Sequence, residues 1–337
     1  MRFLRSVIST ALIVLPMSLG AQESVDYLRR ENKRLRYERD SLMAVIDGFR
    51  SMSISTWDML TDLEFEDDIA AVFGSSSVIY NDDRGHSDLM DAVRRAAPAV
   101  ATKWNQFIDD QIGVYTGSRR RYLPTIFGRY ELWYPLFRNT FTKYGVPEEL
   151  ISLCIVESAV SRRAVSSAGA AGIWQLMPGT AKHYGLRVDE FVDERFDVAK
   201  ATDAAARMLR DVHRSLKRWD LTVLSYNCGS GRVRQAIIKA DGSSDVWEIM
   251  KSLPKETQAY LPSYLAARYV LSEKDNLGIS VRKQGAFPKT KKTSLEKDAT
   301  LTSVAAVLNI NVNILAELNP QLVLGFIPAG VEFNVPS

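Results

Sequence analysis

GVPEELISLCIVESAVSRRAVSSAGAAGIWQLMPGTA, residues 145–181, contains an apolar helical pattern that ends on a single carboxylate, Glu157. Leu150, Leu153 and Cys154 precede it at helical spacing, so a helix places these side chains on the same face as the acid. An unpaired carboxylate on an apolar face avoids the cost of burying a charge by raising its pKa. The pattern therefore predicts a general acid that stays protonated near neutral pH.

The segment that follows Glu157 is rich in small residues from Ala168 to Gly172 and continues to Gln175 and Met177. Small residues let the backbone and a ligand approach each other closely. A carboxylate beside such a groove suggests a long polar substrate. The alternative is that Glu157 lies at a helix end and points to water or pairs with one of the two arginines that follow it.

Three further blocks follow in order: DERFDVAKATDAAARML (193–209), SYNCGSGRV (225–233) and LPKETQAYLP (253–262). Together with Glu157-Ser158 and the turn after it, these blocks resemble the soluble-lytic-transglycosylase (SLT) catalytic domain. The chain is similar to the D-type membrane-bound lytic murein transglycosylases over roughly residues 100–270 and 293–337. The resemblance implies a mainly α fold, with a lysozyme-like helical catalytic domain and a small α+β (βααβ) module resembling LysM after it.

The resemblance also implies an activity and a set of site residues. Glu157 would act as acid and then base, cleaving the β-1,4 bond between N-acetylmuramic acid and N-acetylglucosamine and forming 1,6-anhydro-muramic acid. Substrate-binding side chains are implied at Ser166, Gln175, Met177, Tyr226, Asn227, Glu256 and Tyr260. Among them, Tyr226 would orient Glu157 or the substrate acetamido group, and Tyr260 would lie near Glu157. Glu256 could equally be a helix N-terminal acid without substrate contact.

Glycoside hydrolysis normally requires two carboxylates. Apart from Glu157, the acids near the motifs are Glu190, Asp193, Glu194 and Asp197. They lie in a charged stretch, where helix capping and solvated pairing explain them better than a catalytic role. A mechanism with one carboxylate is therefore favoured. Two alternatives stay open: a hydrolytic muramidase resembling goose-type lysozyme, which would need a second carboxylate, and a non-catalytic cell-wall-binding protein.

The chain divides into six segments by composition and pattern. We expect a secretory signal peptide (1–21), an N-terminal helix that could form a short coiled coil (22–50), a polar acidic connector (51–96), the catalytic domain (97–272), a linker (273–292) and the LysM-like module (293–337). Where LysM modules usually have Gly-Asp, this chain has Asp298-Ala299. Two roles therefore stay open for the module: binding glycan, or only packing against the rest of the protein. The signal predicts secretion across the inner membrane, into the periplasm or cell envelope.

Composition narrows the partners and cofactors. A net charge of +3 is too small to indicate nucleic-acid binding. Peptidoglycan glycan strands are the partner that the resemblance implies, with weak self-association through the N-terminal helix as a further option. The three histidines show no metal-ligand spacing, and we expect neither metal nor cofactor. Cys154 and Cys228 could form a disulfide, although a pair of buried thiols is the commoner outcome.

Overall fold

The computed structural model describes residues 86–100, 103–285 and 288–337. The expected signal peptide and N-terminal helix lie outside these residues. In the described part the chain is mainly helical as far as Ser272, which confirms the predicted fold class. Among the described residues, strands occur only from Thr290 onward.

The helices differ widely in length, and 3-10 turns separate several of them. In chain order they are α1 (His86–Ala96), α2 (Gln106–Thr116), α3 (Leu123–Tyr144), α4 (Leu153–Ser158), α5 (Pro178–His183), α6 (Val198–Leu216), α7 (Trp219–Cys228), α8 (Ser230–Lys239), α9 (Val246–Met250) and α10 (Lys255–Ser272). The 3-10 turns lie at Arg120–Tyr122, Glu148–Ser152 and Glu194–Phe196.

Helix α10 is the centre of the helical domain. It packs against α1, α2, α4 and α7, and almost every side chain from Thr257 to Leu271 is buried. A helix that is apolar on all sides belongs in the interior. Its first turn, with Glu256, remains at the surface, where an acid complements the positive end of the helix dipole. The helix therefore carries groups from the surface directly into the core beside α4.

An aromatic cluster supports the segment between α4 and α5. Trp174 is fully buried and lies 5.3 Å, centroid to centroid, from both Phe137 and Phe141 of α3. Its indole N–H donates to Thr202 Oγ1 of α6 at 2.8 Å, which satisfies a polar group that would otherwise be buried without a partner. Asp197 caps α6 by accepting from the amides of Ala199 and Lys200, as its sequence predicted.

The described parts of two segments expected to be connectors pack on the helical domain. The last eleven residues of the connector predicted over 51–96 form α1, whose apolar face lies against α10. In the linker predicted over 273–292, Leu277 and Ile279 are buried, and the amide of Arg282 donates to Pro124 O at 2.9 Å. Sequence polarity suggested loose chain in both places, because the few apolar residues that pack are dispersed among charged ones.

The C-terminal module has strands on both sides of two short helices. β1 (Thr290–Thr293) pairs antiparallel with β4 (Phe333–Pro336), and β2 (Ala299–Thr300) pairs antiparallel with β3 (Phe326–Ile327). Between them lie α11 (Leu301–Val307) and α12 (Val312–Leu318). The order is β1-β2-α11-α12-β3-β4, so two short strands lie on each side of the helices where the expected βααβ unit has one. The assignment of this unit to LysM stays a prediction.

Among the described residues, no single helix has the length and hydropathy needed to cross a membrane. Only α11 and α12 taken jointly meet both criteria, and the pair is bent by 118°.

Candidate active site

The predicted helix before Glu157 consists of two parts: a 3-10 turn at Glu148–Ser152 and then α4, which has six residues. The side chains of Leu150, Leu153 and Cys154 are fully buried, so the face shared with Glu157 is apolar as predicted. The helix ends at Ala159 and Val160, which both adopt left-handed φ angles, of 50° and 62°. This sharp end leaves Glu157 in the last turn, partly exposed, next to the following loop.

The Glu157 carboxyl is held by one tyrosine. The phenol of Tyr260, on α10, donates a hydrogen bond to Glu157 Oε1. Burial raises the pKa of Glu157 from its usual 4.5 to about 8, the Tyr260 hydrogen bond opposes that rise, and the negative charge of Glu256 adds to it. At neutral pH the acid is therefore mostly protonated. Tyr260 lies where the resemblance implied, and burial of its own phenol near Glu157 raises its pKa.

Glu256 brings a second carboxylate into the electrostatic range of Glu157. It lies in the exposed first turn of α10, one turn before Tyr260 on the same helix. The residue is thus a helix N-terminal acid and also a neighbour of Glu157, and its contact with a substrate stays a prediction. Its charge disfavours ionisation of Glu157 and helps to keep that acid protonated.

Ser166 and Gln175 were expected to bind a sugar, and in the structure their side chains stabilise the loop in which they lie. Ser166 Oγ accepts from the amide of Ala170 at 3.0 Å. Gln175, with a left-handed φ of 46°, donates from Nε2 to the carbonyls of Ala164 and Gly172 at 3.1 and 2.8 Å. These bonds fold residues 164–176 into two linked turns beside Glu157. The Ser166 hydroxyl proton and Gln175 Oε1 remain as the groups with which these residues can meet a ligand.

Tyr226 corrects one expectation. Its hydroxyl donates to the Trp174 carbonyl at 2.7 Å rather than to Glu157, because α7 faces the loop whereas α10 faces the acid. Burial raises the pKa of Tyr226, and the nearby Glu157 raises it further, so the phenol is a neutral neighbour of the site. Trp174 itself belongs to the core and offers no face to a sugar.

The remaining predicted side chains lie at the edge of the site. Asn227, which follows Tyr226 at the end of α7, accepts a hydrogen bond from Thr257 Oγ1 at 2.7 Å, which joins α7 to α10. Met177 is 44% exposed at the end of the loop, and Val165, at its start, is 54% exposed. Two exposed apolar side chains at the loop ends can provide contact area for the apolar faces of sugar rings.

The sequence interpretation expected helix capping and solvated pairing at Asp193. Asp193 does cap the 3-10 turn by accepting from the amide of Arg195, but its ion pair with the Arg195 side chain is buried, which the sequence interpretation missed. Arg195 is held by both Asp193 oxygens, and its Nη1 donates to the carbonyls of Gly169 and Leu176 at 2.6 and 3.0 Å. The Arg195 carbonyl also lies so close to Gly172 that an added Cβ would approach it to 1.9 Å. The Asp-x-Arg spacing in the second block was the available signal, and only the packing shows its purpose.

The two cysteines are unpaired, and the described residues offer no metal site. Cys154 and Cys228 are both buried and free, so the disulfide alternative is wrong for this structure. Burial raises the pKa of both thiols, which keeps them neutral. Within the described ranges, no cluster of three or more His, Cys, Asp or Glu side chains could hold a metal ion.

Comparison with known proteins identifies the region around this site. Residues 135–249 match the transglycosylase SLT domain family. The chain is 37% identical over 181 residues to membrane-bound lytic murein transglycosylase D of Escherichia coli K12, covering 52% of this chain and 40% of that protein. It is 26% identical over 160 residues to soluble lytic murein transglycosylase of the same strain, covering 43% of this chain and 25% of that protein.

A solved structure of the lytic transglycosylase Slt from Pseudomonas aeruginosa aligns with 60% of this chain and 39% of its own, at 19% identity and a TM-score of 0.36. The chain thus spans about two fifths of the length of the first relative and less of the second. The helical region that contains Glu157 matches the SLT domain family, and its sequence is similar to those of lytic murein transglycosylases.

Proposed function

We propose that this SLT-domain protein is a lytic murein transglycosylase of the bacterial cell envelope that cleaves peptidoglycan glycan strands with Glu157 as its acid and base. The observation that carries the proposal is the Glu157 carboxyl, which accepts a hydrogen bond from Tyr260 at the edge of a loop of small residues and whose pKa burial raises to about 8. A carboxylic acid that keeps its proton at neutral pH can donate it to a glycosidic oxygen. The N-terminus resembles a signal peptide, and the relative is named as a membrane-bound enzyme acting on murein; both agree with an envelope location.

The first step transfers the Glu157 proton to the oxygen that links N-acetylmuramic acid to N-acetylglucosamine, as the bond from that oxygen to the muramic C1 breaks. Because Glu157 Oε1 accepts the Tyr260 hydrogen bond, the transferred proton is carried by Oε2. The carbonyl oxygen of the muramic 2-acetamido group stabilises the developing positive charge at C1. Glu157 is then a carboxylate, to which Tyr260 continues to donate.

In the second step Glu157 removes the proton of the muramic 6-hydroxyl while O6 forms a bond to C1. Glu157 is protonated again by the 6-hydroxyl proton, while the first proton stays on the hydroxyl of the departing N-acetylglucosamine; the acetamido group is released, and no water is consumed. One residue with a pKa near neutrality suits both roles, since it is neither too weak an acid nor too weak a base. The product is a 1,6-anhydro-muramic end.

Hydrolysis is the competing outcome, and the position of Glu256 gives it a specific basis. A second carboxylate near the acid could activate a water molecule, as in enzymes that use two carboxyl groups. We favour the transglycosylase because Glu256 lies in an exposed helix turn and influences Glu157 through charge alone. Its charge then serves to keep the acid protonated.

The test is mass analysis of the muropeptides released from purified peptidoglycan. We expect 1,6-anhydro ends from the wild-type chain and no release by Glu157→Gln, which keeps the shape but cannot donate a proton. Thr140→Ser, a conservative change on α3 away from the site, serves as the matched control and should retain activity. Products heavier by one water would show that the protein is a hydrolase and not a transglycosylase. An active Glu157→Gln variant would show that Glu157 is not the acid.

A further inference from the structure

The C-terminal module rests on the segment that leads into the buried ion pair of the site. Val192 and Leu322 form a backbone bridge, and the amide of Asp193 donates to Gln321 O at 2.8 Å. Val192 is only 1% exposed and belongs to the same apolar cluster as the core of the module. A catalytic-domain residue thus completes a hydrophobic core that the module would otherwise leave open.

A second set of contacts joins the module to the residues just after Glu157. Arg162 and Arg163 both form ion pairs with Glu317 of α12. Arg162 Nη1 also donates to the Glu317 carbonyl at 2.5 Å, and Arg163 Nη2 to the Ala316 carbonyl at 3.3 Å. The two arginines therefore bind the C-terminal end of α12, where the helix dipole favours positive charge.

These contacts hold both ends of one segment of the catalytic domain. The arginines lie at its start, at 162–163, and the backbone bridge lies at its end, at 192–193. Between them is the loop at 164–176 that lies beside Glu157. The module thus contacts the segment on either side of the loop, although the loop itself remains open toward the site.

From the module, hydrogen bonds lead inward to the loop and from the loop to Ser158, the residue next to the acid. Asp193, bonded to Gln321 through its amide, holds Arg195, which in turn holds the loop carbonyls of Gly169 and Leu176. Further along the loop, the Ile173 carbonyl accepts from Ser158 Oγ, next to Glu157, at 2.8 Å.

The Trp174 carbonyl, the next along the loop, accepts from Tyr226. The loop is therefore held on its outer side by the Asp193–Arg195 ion pair, which the module contacts through Asp193, and on its inner side by α4 and α7. A shift of the Asp193 backbone would be passed to the loop by side chains that are themselves buried.

We propose that the C-terminal module is a positioning element of the active site, and that its contacts at Glu317 and Phe326 keep the 164–176 loop in the conformation that places Glu157 for proton transfer. The proposal rests on the proposed function for its catalytic consequence. It differs from the expectation of a module tethered by a free linker, which would only raise the local concentration of substrate.

Hydrogen exchange in the full-length chain tests the positioning without any assay of activity. The double variant Glu317→Ala/Phe326→Ala removes both arginine pairs and the contact between the rings of Phe326 and Phe191, whose centroids are 4.9 Å apart. We expect the loop amides of Ala171, Gly172 and Leu176 to exchange roughly tenfold faster than in the wild type. The control, Val307→Ala, changes a side chain that is 86% exposed in the same module and should leave the loop unchanged.

A milder variant keeps the test decisive if the double variant loses its fold. Glu317→Gln removes only the charge of an exposed residue, so the module remains intact, and it should accelerate loop exchange in the same direction by a smaller factor. Loop exchange equal to that of the wild type in Glu317→Gln, and in a folded double variant, would overturn the proposal.

Turnover of short soluble glycan fragments tests the consequence for catalysis. If the module positions the loop, the double variant should lose roughly tenfold in kcat with KM little changed, because binding groups remain but the acid is misplaced. A module that only binds substrate would leave kcat unchanged. Should the wild type release no glycan fragments at all while the loop still loosens in the variants, the proposed function fails and the structural coupling stands.

Discussion

Tyr260 donates its phenolic hydrogen bond to the carboxyl of Glu157, a residue 103 positions earlier in the chain. The two side chains come from α10 and α4, which pack against each other in the core. Burial alone would raise the pKa of Glu157 still further, and Tyr260 moderates the rise by stabilising the ionised form. The pair therefore sets both the orientation and the acidity of the proposed acid, and four predictions depend on it or on the loop beside it.

The activity of the wild-type chain should decline with an alkaline limb near pH 8, where Glu157 loses its proton. In Tyr260→Phe the carboxylate loses the donor that stabilises it, so its pKa rises and the limb should move to higher pH. Rates of glycan release between pH 5 and 10 measure the limb, and Tyr122→Phe, on the surface 3-10 turn, is the control. A limb that moved to lower pH in Tyr260→Phe would contradict the assigned direction of the hydrogen bond.

Glu256→Gln should move the same limb in the opposite direction. Removing a nearby negative charge makes ionisation of Glu157 easier, so the pKa of Glu157 falls and activity declines at lower pH than in the wild type. Because Glu256 is exposed, the difference should shrink as salt increases. Glu248→Gln, which removes an exposed acid of α9 paired with Lys251, is the matched control. An unchanged limb at low salt would exclude the electrostatic role of Glu256, and a complete loss of activity would instead favour the hydrolytic alternative.

The raised pKa of Glu157 should also make the free energy of unfolding depend on pH. Between pH 4.5 and about 8 the folded chain holds a proton on Glu157 that the unfolded chain has lost, so the free energy of unfolding falls as pH rises, by up to about 1.4 kcal/mol per pH unit for this group. Glu157→Gln lacks this dependence. Denaturant unfolding at pH 5, 6, 7 and 8 should therefore show the variant gaining stability relative to the wild type with each step. Parallel curves for the two proteins would mean that Glu157 titrates normally.

Gly172→Ala should destabilise the loop strongly. Its φ is 77°, and an added Cβ would lie 1.9 Å from the Arg195 carbonyl, so backbone strain and a steric clash act together. We expect a loss of roughly 2–4 kcal/mol in the free energy of unfolding. Gly179→Ala is the matched control, because Gly179 lies exposed in α5 with no atom near an added Cβ, and it should be neutral or slightly stabilising. Equal stability of the two variants would show that Arg195 does not pack on the loop as described.

Much of the architecture could be read from the sequence because local pattern determines it. Helical periodicity and capping by Asp197 predicted α6 with its N-terminal boundary, and the apolar face at Leu150, Leu153 and Cys154 identified Glu157. The connectors at 51–96 and 273–292 were harder to predict. Their buried residues are few and widely spaced, so no periodicity reveals that α1 and the segment around Ile279 pack on the helical domain.

By itself, the sequence indicated which residue is the proposed acid, since a carboxyl group on an apolar helix face is a property of a dozen neighbouring residues. Only the tertiary structure decided what surrounds that acid. Packing of α4 on α10 selected Tyr260 as the hydrogen-bond donor, and the orientation of α7 directed Tyr226 to the Trp174 carbonyl. The seating of the C-terminal module on Val192 was likewise invisible in sequence, because contacts between segments far apart in the chain depend on how whole elements pack and leave no local pattern.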